Sequence, residues 1–362
     1  MKKILIIANT YYQLIMAIQM KLSIFDDSYV SLLVSDHCNG ASDVAKRLKE
    51  LQVFEECEYF ESKGVIRNRG FFRKLIDSFQ IITGSFNRYA YYLKDLNEKK
   101  YDIFLNHNYE IDTYAIFSLL SEFNKSIKYA AYEEGVLSYE YNDYSSSLFT
   151  FICAVRKIFE KTSLLDMYEE FYCVYPEIYK GKKHTVKIPQ ISSSDSRMGE
   201  ILKKTFDITY EFDYSKYKYI FFESIYESEG RSIGELNVLL EIAKRVGKNN
   251  ILVKKHPRST ITAYEENGIA VDKNSFAPFE AIQLNNNFSG CTFITTTSGS
   301  VFSTNSLLEN PCKVVLIYPL TSYKTHPELE RFVYQVEDVI NMFKSRGLWS
   351  HINIIHSLDE VF

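Results

Sequence analysis

Short runs of apolar and β-branched residues, closed by polar turn formers and followed by apolar residues at helical spacing, recur in this chain in two separate series. That alternation restricts the fold to parallel α/β architecture. The first series opens with Lys3 to Ala8, a buried-strand pattern stopped by Asn9-Thr10, and continues with Leu14, Ile15, Ala17, Ile18 and Leu22 at helical spacing. Tyr29 to Val34, Tyr101 to Leu105 and Ile127 to Tyr132 read as further strands of the same half. The second series holds Tyr219 to Phe222, Ile251 to Val253, Thr292 to Ile294 and Lys313 to Ile317.

No proline precedes Pro176, whereas Pro176, Pro189 and the polar tract Ser192 to Ser196 fall together near the midpoint, which places a linker there. At 362 residues the chain exceeds what one hydrophobic core usually supports. Two domains are therefore expected, 1–185 and 186–362. Two Rossmann-like halves facing each other across a cleft describe a GT-B-like α/β architecture, the N-terminal half serving an acceptor and the C-terminal half a nucleotide. Hydrophobic residues at 46% and charged residues at 24% leave little room for extensive disorder.

A formal net charge of -4 supplies no global basic field, so nucleic acid is not an expected partner. The cluster Lys254, Lys255 and Arg258 nonetheless makes a local anion site. The six cysteines show neither CxxC nor Cys/His spacing for zinc and fit reduced thiols in the cytoplasm. The apolar run Ile4 to Ala8 stops too early for a signal peptide, and no stretch reaches the ~20 apolar residues of a membrane helix. A soluble or only peripherally attached chain is expected.

The sharpest local signal is Lys254-Lys255-His256-Pro257-Arg258, directly after the strand Ile251 to Val253. Ligands of open α/β sheets sit at carboxyl ends of strands, so this cluster is where a phosphate would be met. His256 titrates near neutrality and can donate a proton or a hydrogen bond to a departing phosphate, while Pro257 restricts its backbone. The alternative is an exposed basic turn. Thr295 to Ser300 follows the strand Thr292 to Ile294. There Thr297, Ser298, Gly299 and Ser300 combine hydroxyl donors, a glycine that permits close approach and the start of a helix. These residues form a phosphate cradle or, alternatively, an ordinary helix N-cap.

In the first half, Glu133-Glu134-Gly135 closes the strand ending at Tyr132. Each carboxylate should raise the pKa of the other toward the range of a general base, unless both are merely solvated. Glu280, in Pro278-Phe279-Glu280, can accept hydrogen bonds from ribose hydroxyls or lie on the surface. Glu227, past the strand Tyr219 to Phe222, is the runner-up base. No Walker A, GxGxxG, HExxH or metal-holding DxD sequence occurs, which argues against ATPase, dehydrogenase, metalloprotease and metal-dependent transferase chemistry. A nucleoside monophosphate leaving group fits such a metal-free site, and neither metal nor cofactor is expected.

The order Glu-Glu-Gly, Lys-Lys-His-Pro, Pro-x-Glu, Thr-Ser over two α/β halves resembles the bacterial sialyltransferases. The opening Ile-Ile-Ala-Asn-Thr-Tyr-Tyr-Gln-Leu and the segment Glu170 to Glu177 are most similar to glycosyltransferase family 52, which holds lipooligosaccharide and capsule sialyltransferases. The resemblance implies an inverting transfer of sialic acid from CMP-sialic acid to a terminal sugar, galactose for preference, of a surface glycan. It places the base at Glu133 or Glu134 and the acid or phosphate ligand at His256. It sets Lys254 near the nucleotide, Glu280 on the ribose, and Thr297 with Ser298 on the CMP phosphate. Here Thr-Ser is followed by Gly-Ser, so more than one hydroxyl can meet the phosphate, and Glu227 stays open as base. A lipid-linked acceptor would bring the chain to the inner face of the plasma membrane, and a homodimer is left open. The rival readings are a transferase using another nucleotide sugar, such as a hexosyltransferase, and a noncatalytic glycan-binding or scaffold subunit.

Overall fold

The computed structural model describes residues 1–38, 40–62, 76, 78–80, 82–83, 100–107, 111–141, 147–159, 161–209 and 212–361. The chain separates into two compact units. One comprises Met1–Glu134 and Ser138–Pro189, the other Gly135–Leu137 and Gln190–Phe362.

The first unit is built on β1 (Lys3–Ala8), β2 (Tyr29–Ser35), β3 (Glu56–Phe60), β4 (Ile103–Leu105), β5 (Lys128–Tyr132), β6 (Tyr168–Cys173) and β7 (His184–Lys187). Its helices among the described residues include α1 (Tyr11–Leu22), α2 (Ala41–Leu51), α3 (Ile111–Phe123), α4 (Ser138–Tyr141), α5 (Ser147–Ile158) and α6 (Leu164–Met167). The strands form one parallel sheet in the order β3-β2-β1-β4-β5-β6-β7. Ile4 to Ala8 are buried, as a strand covered on both faces requires. Thr10 then turns the chain into α1, its hydroxyl accepting the Gln13 amide at 3.1 Å. A domain boundary at 185/186 would cut β7, whose Thr185 and Val186 pair with Phe171 and Tyr172.

The second unit carries β8 (Tyr219–Phe222), β9 (Ile251–Lys254), β10 (Ala270–Val271), β11 (Thr292–Thr295), β12 (Lys313–Leu316) and β13 (Ile352–Ile354). Its helices are α7 (Ser196–Thr205), α8 (Glu235–Val246), α9 (Ala263–Glu266), α10 (Phe279–Leu284), α11 (Gly299–Leu307) and α12 (Pro327–Ser345). This sheet is also parallel, in the order β10-β9-β8-β11-β12-β13.

Each sheet starts in the middle, runs outward to one edge, returns and runs to the other. That is the Rossmann strand order, with switch points between β1 and β4 and between β8 and β11. A chain holding two such sheets has the GT-B-like make-up expected from its sequence. No helix among the described residues is long and apolar enough to cross a membrane.

Candidate functional site

In the second unit, Phe222 is level with both Lys254 and Thr295 in the strand register. The segments after β9, β8 and β11 therefore leave the sheet side by side at its switch point. At strand spacing the ends of β9 and β11 lie roughly 10 Å apart, with the β8 loop between them. His256 and the Thr297 to Ser300 turn thus share one carboxyl edge of one sheet.

The β8 loop touches both. Glu223, buried, accepts the His256 amide at 2.8 Å and the Ser259 hydroxyl at 2.7 Å, and the Ser259 amide donates to the His256 carbonyl at 2.8 Å. Farther along, Tyr226 hydrogen-bonds Thr297. The Arg258 amide donates to His256 Nδ1 at 3.2 Å, which leaves the proton of the neutral ring on Nε2. Burial, with Arg258 and Lys254 nearby, pulls the imidazole below its ordinary pKa, and Glu229 opposes them. At neutral pH His256 is therefore an uncharged Nε2–H donor, and an anion beside it would favour its charged form. Pro257 and Arg258 are exposed, and the Arg258 guanidinium pairs with Glu229 at 3.3 Å.

The turn after β11 is tied down by Thr295, whose Oγ1 accepts the Ser298 amide at 3.0 Å and donates to the Phe222 carbonyl at 2.9 Å. Ser298 occupies the N-cap of α11 with φ -64° and ψ 128°, yet its hydroxyl makes no capping bond. The N-cap alternative thus holds in position but not in bonding. A Cβ added at Gly299 would meet nothing within 4 Å, so packing does not demand a glycine there.

Other expected ligands are turned into the fold. Lys254 is 6% exposed, and its Nζ donates to the carbonyls of Ser275 at 2.5 Å and Ala277 at 2.9 Å. Burial brings its pKa down to about 8 against Asp272 and Glu280. Lys255 pairs with Glu265 at 3.4 Å, and its amide donates to Ser275 Oγ. Glu280, expected on a ribose or on the surface, is 4% exposed and accepts the Ser303 hydroxyl; burial raises its pKa. Glu227 accepts the amide of Glu235 at 2.8 Å and caps the start of α8, a structural task for the runner-up base.

The first unit brings a different set to the carboxyl ends of β2, β4 and β5. Glu133 and Glu134, expected to act as a like-charged pair, have opposite environments. Glu133 is 0% exposed and accepts the Tyr12 hydroxyl at 2.7 Å, the Tyr139 hydroxyl at 2.5 Å and the Val174 amide at 3.0 Å. Burial raises its pKa, and those bonds oppose it. Burial also acts upward on Glu134, but the charge and hydrogen bond of His107, joined by His37, hold it below the ordinary carboxylate range. Like charge therefore does not set the two pKa values: His107 holds Glu134 down, and desolvation raises Glu133. Gly135 has a φ of 152°, open to glycine and strained for other residues.

His107, which the sequence reading did not single out, places Nε2 2.5 Å from Glu134 Oε2 and Nδ1 3.0 Å from the Tyr132 carbonyl. It stands two positions past β4, so the strand-end rule that selected His256 could have found it.

Among the described residues no group of three or more His, Cys, Asp or Glu could hold a metal ion, and the six cysteines are free. A cavity of about 620 Å³ beside Lys216, Asn249 and Ala270 and another of about 970 Å³ beside Gln283, Asn286 and Cys312 lie toward the amino ends of the second sheet's strands, away from His256.

No protein-family model and no curated protein matches the chain. Solved structures resemble it. An α/β-galactoside α-2,3-sialyltransferase from Photobacterium phosphoreum is 12% identical, covering 100% of each chain with a TM-score of 0.49. A spinosyn rhamnosyltransferase complexed with thymidine diphosphate is 11% identical over 88% of this chain and 80% of its own, TM-score 0.46. A putative UDP-N-acetylglucosamine 2-epimerase from Listeria monocytogenes is 10% identical over 97% and 89%, TM-score 0.47. These are distant likenesses of fold, and the names span transferases and an epimerase.

Proposed function

We propose that this chain is an inverting, metal-independent glycosyltransferase. In this reading it moves sialic acid from CMP-sialic acid to a terminal galactose of a bacterial surface glycan, as the family 52 resemblance implies. The observation that carries the reading is the pairing, at one switch point, of a neutral Nε2–H on His256 with the start of α11, where Ser298 leaves the first-turn amides without a side-chain cap. Such an edge suits the phosphate of a nucleotide. In this reading Lys254, Lys255 and Glu280 act behind it, bonded to the Ser275–Ala277 loop, α9 and α11 rather than to ligand.

In this reading Glu134 is the base. The acceptor hydroxyl oxygen bonds to the anomeric carbon as the carbon–oxygen bond to the CMP phosphate breaks. The hydroxyl proton passes to Glu134, and the released phosphate oxygen accepts a hydrogen bond from the neutral His256 Nε2–H. Products are the inverted glycoside and CMP.

The test is to incubate the protein with CMP-sialic acid, EDTA and a set of galactosides. CMP release with a sialylated product is expected. No CMP and no product with any acceptor overturns the sialyltransferase reading. Thermal shifts with CMP, UDP and GDP then identify the nucleotide, since saturation at a hundred times Kd stabilises by about 2.7 kcal/mol. A response to UDP or GDP alone would transfer the reading to another donor.

A further inference from the structure

The ring of His107 is spent at both ends on oxygen acceptors. The Tyr132 carbonyl can only accept, so Nδ1, 3.0 Å away, carries a proton. Nε2 then faces Glu134 Oε2 at 2.5 Å, and a lone pair there would meet a carboxylate. One further proton must lie between Nε2 and Oε2. The imidazole is 16% exposed and the carboxylate 34%, and Glu134 Oε1 has no hydrogen-bond partner among the described residues. His107 thus has no nitrogen left for a substrate, whereas Glu134 has an oxygen to offer.

We propose that His107 is a positioning residue for Glu134, holding one carboxylate oxygen as an ion pair so that the other, Oε1, receives the proton of the incoming hydroxyl. The role of Oε1 rests on the transferase reading; the His107–Glu134 link does not.

The surroundings support that division. Glu133, next in the chain, has its carboxylate committed to Tyr12, Tyr139 and Val174. His37, from the turn after β2, adds charge attraction toward Glu134 while its Nδ1 meets Ser35 Oγ at 3.0 Å. The Tyr132 hydroxyl donates to the Ile7 carbonyl at 2.6 Å, and Cys38 Sγ to the Asn9 carbonyl at 3.3 Å, so neither competes for Glu134. Burial pulls the His107 ring toward neutrality, but the charge and hydrogen bond of Glu134, with the Tyr132 carbonyl and Glu133, raise it above the ordinary imidazole range.

The link is read without turnover by labelling the histidine rings of the full chain with 15N and following them with pH, in the wild type and in Glu134→Gln. The expected result is a His107 ring that stays doubly protonated above the usual imidazole range in the wild type and loses that proton at lower pH in Glu134→Gln. An identical titration in both overturns the link. The role is read by kinetics on His107→Gln, which keeps a donor but no charge. A fall in kcat of about 10²-fold with KM little changed is expected, and the acid limb of the pH profile should move to higher pH. An unchanged profile and kcat with the link intact overturns the positioning role. A wild type inactive on every donor instead overturns the transferase reading and the task given to Oε1, while the ring titration still decides the ion pair.

Discussion

Glu133 and Glu134 are adjacent in sequence, and their substitution should separate folding from chemistry. Glu133→Ala would leave three donors, the hydroxyls of Tyr12 and Tyr139 and the amide of Val174, without their acceptor. At roughly 1–3 kcal/mol for each buried orphan, and allowing Tyr12 to find water, the expected loss is about 2–6 kcal/mol. That is a large share of the ~5–15 kcal/mol holding a typical protein folded. Glu133→Gln keeps the volume and one oxygen, so its loss should be nearer 1–2 kcal/mol. Glu134→Gln, on a partly exposed side chain, should cost less than about 1 kcal/mol. Turnover should follow the reverse order, with Glu134→Gln losing about 10²–10⁴-fold and Glu133→Gln staying within about tenfold of wild type. Urea unfolding followed by circular dichroism gives the first ranking. Fluorescence of the single tryptophan, Trp349, gives a separate record of the second unit, where it stacks on Phe343 at 3.8 Å. If Glu133→Gln abolished turnover at unchanged stability while Glu134→Gln remained active, the assignment of the two glutamates would be reversed.

Three further outcomes are expected. Gly299→Ala should leave stability unchanged or slightly higher, since its Cβ meets open space at the first position of α11, while weakening the thermal shift given by CMP; full retention of that shift would remove the α11 start from the phosphate site. Ser298→Ala should cost less than the ~1 kcal/mol usual for a lost cap, because the hydroxyl makes no capping bond, and a larger loss in urea would contradict that geometry. Glu235 has its pKa raised to about 7 by burial, so the stability it contributes below the unfolded carboxylate value of about 4.3 is lost as pH rises through about 7. Glu235→Gln should therefore gain on the order of 3 kcal/mol relative to wild type between pH 5 and pH 8, and parallel stability curves would refute the buried charge.

Legibility followed burial. The strands read directly from sequence, such as Lys3–Ala8 and Tyr219–Phe222, lie inside the sheets and carry unbroken apolar runs. The missed strands β3, β7, β10 and β13 are the four sheet edges, and β6 is interrupted by Glu169 and Glu170. An edge strand is half solvated and short, so ECEYF or HTVK offers no apolar run to find. The same limit governs the site. His256 stood out because a strand, two lysines and a proline surround it, whereas His107 acquires its meaning from Glu134, which arrives at the end of the next strand. Lys254 was legible as a strand-end cation, but its destination under the loop at Ser275 and Ala277 depends on tertiary packing that no local pattern records.

The two units solve one physical problem in the same way. A residue presented at a strand end needs a turn that does not move, and a turn has few apolar contacts to hold it. In each unit a buried glutamate takes that task by accepting a distant backbone amide and at least one hydroxyl: Val174 with Tyr12 and Tyr139 for Glu133, His256 with Ser259 for Glu223. Burial raises the pKa of both carboxyls, and the hydrogen bonds lower it. A buried acceptor that fixes a turn need not be ionised, so Glu223→Gln should keep the fold. Its remaining oxygen can keep the His256 amide only if the new amide donates to Ser259 Oγ, which already accepts the Ser228 hydroxyl at 3.2 Å and the Ile261 amide at 3.3 Å, so one of these bonds is lost. The expected outcome is an unchanged urea midpoint within about 1–2 kcal/mol and a drop in kcat of about tenfold or more as His256 loosens. Rescue of kcat at higher pH would contradict a positional origin, since a misplaced imidazole does not return when a proton is removed.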